Sequence, residues 1–297
     1  MIINTTNLSA LFIGFKAAFG GAFTGAPSYF ERIAMRIQSS TGENDYGWLG
    51  QTPAIREWIG DRHIKSMQAL GFKIKNRTFE STVAVSRVHI EDDQYGVFTP
   101  MVSEMGRRSK QHPDVLIAEL LASGFAAACY DGQYFFDSDH PVKNAAGVDT
   151  VASNVQAGAA AAWYLFDTAK AVRALIFQER QPYDLQSLNR PDDANVFLRD
   201  EYLYGVRARA NVGFGLWQLA FGSKATLDKA NYEAARAAMM NLRGDEGGLL
   251  GITPSVLVVP PSLEGAARRL IVAATGDAGA SNEWAGSAEL IVLPYLS

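Results

Sequence analysis

Residues 38–62 set the first constraint on what this chain can build. Ser39-Ser40-Thr41-Gly42, Asn44-Asp45, Gly47, Gly50, Pro53 and Gly60 punctuate a stretch with neither helical nor strand period. Trp48 and Trp58 lie inside it, with Tyr46 close by. Long irregular excursions in compact chains are uncommon and usually functional. These aromatics have no local element to pack on, so they need a distant part of the fold or another chain.

The remainder can supply a body. The chain has 297 residues, 48% hydrophobic and 20% charged. A chain of that length buries about 75% of its unfolded surface in one or two domains. Residues 4–24 carry Leu8, Leu11, Phe12, Phe15 and Phe19 at helical spacing. Asn7 or Ser9 could cap this helix, and Gly20-Gly21 should end it. Residues 78–88 alternate as a strand. Glu91-Asp92-Asp93 suits the start of a helical element over 96–128, with Pro100 in its first turn and an interruption near Gln111-His112. Residues 141–160 read as a surface loop or junction. Beyond it lie strands at 163–167 and 174–178, strands joined by turns over 196–222, a helix at 232–242 capped by Asn231, a buried strand at 256–259, a helix after Pro260-Pro261-Ser262 and a last strand at 289–295. The class is mixed α+β, helix-led first and sheet-rich later.

Few chemistries survive. Net charge is −4, so there is no basic excess for phosphates, and Arg107-Arg108-Ser109-Lys110 reads as a solvated helix face. Cys129 is the single cysteine. No internal disulfide can form, no zinc site built on cysteines is expected, and Cys129 reads as a small buried hydrophobe in a reducing compartment. Residues 8–23 lack a basic lead-in and contain Lys16, so neither a secretory leader nor a membrane span of about 18 uninterrupted apolar residues is expected. There is no Gly-x-Ser-x-Gly elbow and no Walker loop, and Gly213–Gln218 lacks the third glycine of a dinucleotide fingerprint. Asp137-Ser138-Asp139-His140 could ligate a divalent ion, or could be a turn whose Asp side chains accept backbone N–H bonds. His63, His89 and His112 sit in unrelated contexts. No enzyme and no cofactor are expected; a metal-dependent enzyme at Asp137, Asp139 and His140 stays open as a minor alternative. A chain with apolar loops, an apolar arm and no chemistry is expected to bury itself against copies of itself.

Many ordered stretches then resemble one family. They include Tyr46-Gly47-Trp48-Leu49-Gly50, Glu57-Trp58-x-Gly60-x-Arg62, Glu104-Met105-Gly106-Arg107, Cys129-Tyr130-Asp131-Gly132-Gln133, Phe135-Phe136-Asp137, His140-Pro141-Val142, Leu175–Arg180 and Trp217-Gln218. The chain resembles the major head (major capsid) proteins of Mu-like phages and prophages. The resemblance implies an α+β, Hong Kong-97-type capsid fold with an N-terminal arm (1–37), an extended E-loop (38–78), a peripheral domain with a long spine helix (79–155), an axial domain (156–280) and a C-terminal strand (281–297) that can return to the peripheral domain. It implies hexamers and pentamers in an icosahedral shell that encloses double-stranded DNA without reading its sequence. Scaffold, maturation protease, portal and decoration proteins are the implied partners, with no membrane. The virion capsid is the implied location, with the host cytoplasm during assembly. The expected intersubunit residues are Tyr46, Trp48, Leu49, Glu57, Trp58 and Arg62 on the E-loop, and Leu11, Phe12, Phe15 and Phe19 on the arm. A tail or decoration protein is the alternative virion role.

Overall fold

The structure is a computed structural model that describes residues 2–47, 72–92, 94–144, 148–190, 192–244, 248–276 and 279–296. The N-terminal periodicity forms helix α1 (Thr5–Gly25). Asn4 caps it, its Oδ1 accepting from the Asn7 N–H at 2.8 Å. The helix does not stop at Gly20-Gly21 but runs through both. Glycine costs about 1 kcal/mol in a helix interior, and the side-chain packing of α1 on the body outweighs it. A turn of helix, α2 (Phe30–Ile33), leads into strand β1 (Ala34–Gln38). Short strands β2 (Glu43–Asp45) and β3 (Lys73–Lys75) pair antiparallel. The alternating segment is β4 (Arg77–Ser86), ending in a short helix α3 (Arg87–Glu91).

Helix α4 (Thr99–Ser123) is the long element, and the acids do not cap it as expected: Glu91 closes α3, and the cap position of α4 is Phe98. Pro100 does sit in its first turn. The expected interruption is absent, because α4 continues through Pro113. An interior proline loses a backbone bond at a cost of about 3 kcal/mol. Here Pro113 and its neighbours Ser109, Asp114, Leu116 and Ile117 are buried, so packing offsets that cost and the helix continues past it.

The expected loop at 141–160 is mostly short strands: β5 (His140–Lys143) pairs with β6 (Asp149–Ala152), and β7 (Val155–Gln156) follows. Strand β8 (Trp163–Phe166) is wholly buried. Strand β9 (Leu175–Leu188) is far longer than its apolar core suggested. Residues 196–199, the start of the stretch expected as strands, fall in a short helix α5 (Ala194–Arg199). Asp200 turns the chain with φ +54° into β10 (Glu201–Phe214), one unbroken strand. Then come β11 (Ala220–Ser223), α6 (Lys229–Met240), β12 (Val256–Val259), α7 (Glu264–Ala267) and β13 (Glu289–Val292). Asp228 rather than Asn231 caps α6, accepting from the Asn231 N–H at 2.9 Å.

Two sheets organise these elements. A four-stranded sheet runs β1-β9-β10-β4, and a five-stranded sheet runs β13-β12-β8-β11-β7. Strands β9 and β10 pair antiparallel from Leu175↔Phe214 to Leu188↔Leu203, with a bulge around Arg209. One core surrounds the five-stranded sheet, α6 and the Leu175/Phe214 end of that pair. A second core lies between the other end of the pair and helices α1 and α4. The C-terminal strand joins the five-stranded sheet, parallel to β12. Among the bonds of the described tail, Tyr295 alone reaches the spine helix, its hydroxyl donating to Gln111 Oε1 at 3.1 Å.

Candidate assembly surfaces

The arm is spent on its own subunit. Leu8, Leu11, Phe15 and Phe19 of α1 are buried among Val85, Ile90, Val102, Met105, Tyr202 and Tyr204, with Phe12 half-buried beside them. Phe15 meets Tyr204 edge-to-face at 5.0 Å. The close approach rests on Gly106: a Cβ there would lie 2.3 Å from the Phe19 carbonyl oxygen. The apolar side expected to meet a neighbour thus faces α4 and the sheet. Outward, α1 presents Ala10, Ile13, Gly14, Lys16, Ala17 and Gly21. By length and composition α1 could cross a membrane, yet Lys16 bonds Asp184 at 3.2 Å and the bulky side is occupied.

The base of the excursion is bolted to β9. Tyr46 is buried, and its hydroxyl donates to Gln178 Oε1 at 2.8 Å. Gln178, fully buried, donates from Nε2 to the Ile74 carbonyl at 3.1 Å and to Asn76 Oδ1 at 2.7 Å. Asn76 Nδ2 donates to Ser39 Oγ at 2.9 Å. Every buried polar atom in this chain of bonds has a partner, which is how such a network rigidifies its surroundings. Burial raises the Tyr46 pKa, so the phenol stays a donor. Tyr46 is therefore a root of the loop, facing its own sheet rather than a neighbour. Trp48, Leu49, Glu57, Trp58 and Arg62 lie outside the described residues.

Asp137, Asp139 and His140 do not converge. Asp137 accepts from the Tyr134 and Ser138 N–H groups at 3.2 and 2.7 Å, the turn reading of that motif. Asp139 is exposed. His140 turns instead to Asp131 and the neighbourhood of Cys129. A surface that sequence reasoning passed over is the end of the β9–β10 hairpin, where Phe197 and Leu198 are 87% and 75% exposed. Leu188 and Val88 are exposed at the same end. The run Val196-Phe197-Leu198 read as strand; once helical, only Val196 points into the core.

The described residues offer a long helix and an arm laid across one sheet, and a loop base bolted to that sheet. The chain superimposes on a subunit of the procapsid of bacteriophage JBD30 with TM-score 0.86 and 44% identity, covering 99% of this chain and 100% of that one. With the JBD30 capsid the TM-score is 0.80 at 34% identity, with both chains fully covered. The fold is the Hong Kong-97-type α+β capsid fold. The chain is also 41% identical to the major capsid protein of Escherichia phage Mu over the whole of both chains. Residues 8–296 match the family described as Mu-like prophage major head subunit gpT. The chain belongs to that family: it is a major head subunit, a structural component of the virion capsid rather than an enzyme.

Proposed function

We propose that copies of this chain assemble as hexamers and pentamers into an icosahedral shell around double-stranded DNA, in the host cytoplasm, with neighbours joined by the loop that leaves the bolted β2–β3 base. The observation that carries this reading is the full-length likeness to a procapsid subunit. The parts are assigned as an arm containing α1, an E-loop rooted at Tyr46 and Ile74, a peripheral domain built on α4 and the four-stranded sheet, and an axial domain around the five-stranded sheet. The rigid base supports the loop assignment, since a loop that must reach another subunit gains from a root that does not move. Trp48 and Trp58 are its anchors, with Leu49, Glu57 and Arg62 around them. The arm contributes through its outward face and by bracing α4. A scaffold, a maturation protease and a portal complete the set. A decoration protein is added by analogy with a JBD30 capsid described as carrying minor capsid protein trimers. Negative net charge suits a container that does not grip its genome.

The test is electron microscopy of the expressed full chain. Closed shells of uniform diameter support the reading; small monodisperse particles at high concentration count against it. Trp48→Ala with Trp58→Ala should lower shell yield while the free subunit keeps its unfolding midpoint. Wild-type yield from the double variant removes the loop from the assignment.

A further inference from the structure

We propose that Cys129, Asp131 and His140 form a zinc site that clamps the segment after the spine helix onto the body. The three lie in one place through two separate devices. Cys129 and Asp131 project from a tight turn, closed by the Cys129 N–H to the Gln133 carbonyl at 2.8 Å and the Gly132 N–H to the Cys129 carbonyl at 3.1 Å. Gly132 holds φ +89° there, a left-handed conformation that glycine tolerates. His140 opens β5 and is fully buried, its ring stacked on Trp217 with centroids 3.9 Å apart and planes 8° apart. Asp131 Oδ1 lies 3.0 Å from Cys129 Sγ, and Oδ2 lies 2.7 Å from His140 Nδ1. One ligand atom from each residue falls within 4.8 Å of the others.

The donor set fits zinc. Thiolate, carboxylate and imidazole are ligands of that borderline ion, and two anions against Zn²⁺ leave a buried site neutral. Ligand atoms on a common tetrahedral zinc stand about 3.5 Å apart, so the two hydrogen-bonded contacts at Asp131, 3.0 and 2.7 Å, lengthen by less than an ångström, while any pair standing wider, up to 4.8 Å, closes toward that distance. Binding forms the Zn–S, Zn–O and Zn–N bonds, releases the Cys129 thiol proton to solvent, and leaves the imidazole proton on the ring nitrogen that does not ligate. Water, or the second Asp131 oxygen, takes the fourth position. The other ring nitrogen, His140 Nε2, is buried without a hydrogen-bond partner, so no competing bond fixes the imidazole away from the cluster. Trp217 and the Gln133 N–H, which donates to Asp131 Oδ1 at 3.1 Å, hold two of the ligands in place. A mixed set needs only one thiol, so the single cysteine does not exclude zinc.

The test uses the untagged full chain. Elemental analysis should find about one zinc per chain after dialysis against trace zinc. Co²⁺ added to the chelator-treated chain should give a saturable sulfur-to-cobalt charge-transfer band, displaced by Zn²⁺. Cys129→Ala and His140→Asn should abolish saturable uptake, and Asp139→Asn should leave it intact. Zn²⁺ should raise the melting temperature of wild type and not of Cys129→Ala. Absence of a thiolate band from wild type, or uptake that survives Cys129→Ala, overturns the site and leaves a hydrogen-bonded cluster.

Discussion

Asp114 shows how much one buried carboxylate decides. It sits on α4, and its Oδ1 accepts from the Tyr29 and Phe30 N–H groups at 2.9 and 2.7 Å and from Ser28 Oγ at 3.2 Å. Those donors open α2, so one atom joins the exit of the arm to the spine helix. Its Oδ2 is buried without a partner. Burial raises the pKa of Asp114 against those bonds and the nearby Lys110. A raised carboxyl binds its proton more tightly folded than unfolded, so its contribution to stability is present at low pH and lost as pH rises through the folded pKa. Urea unfolding over a pH series should show this component in wild type and its loss in Asp114→Asn. Asp114→Ala strands buried donors and should cost about 2–4 kcal/mol in the same measurement. Tyr46→Phe leaves Gln178 Oε1 without its donor and should cost about 1 kcal/mol. None of these partnerships could be read locally, because the residues joined by Asp114, or by Gln178, are distant in the chain. What was legible at this scale was residue type, such as a Tyr beside turn formers. That Tyr46 would face inward depended on Gln178, more than a hundred residues away.

At the scale of elements, the packing of α1 on α4 is the contact most open to test. Gly106→Val places a side chain against the Phe19 backbone. It should release α1, read as fast hydrogen exchange across Leu8–Phe19 and new proteolysis near Pro27, while amides of β8 and β12 stay protected. Gly14 has open space where a Cβ would go. Gly14→Ala should therefore stabilise the arm by about 0.5–1 kcal/mol, seen as slower exchange in α1. The contrast explains what periodicity could and could not tell. The stripe of Leu8, Leu11, Phe15 and Phe19 was plain as an amphipathic pattern, and so were β4, β8 and β12. The expected breaks at Gly20-Gly21 and near Gln111-His112 failed because local propensity was weighed without the partner that overrules it. The α5 segment failed for the same reason in reverse, since an apolar triplet between strands looks like strand until Asp200 turns the chain.

Across the whole molecule, the two larger cores among the described residues meet along the β9–β10 pair, and α1 closes one of them. Removing residues 1–24 would expose Val85, Ile90, Val102, Met105 and Tyr204. The truncated chain should therefore lose subunit stability as well as assembly, seen as a lower melting temperature and aggregation by light scattering. An arm that served only a neighbour would leave the isolated subunit unchanged. Family, fold class and structural role followed from many ordered local matches along one chain. The α+β class followed from period alone, because side-chain spacing is a local property. The inward packing of the arm, the bolting of Tyr46, the continuation of α4 through Pro113 and the meeting of Cys129, Asp131 and His140 were decided by tertiary structure. Each depends on which distant surface a residue finds, and burial energy is settled only when both surfaces are in place.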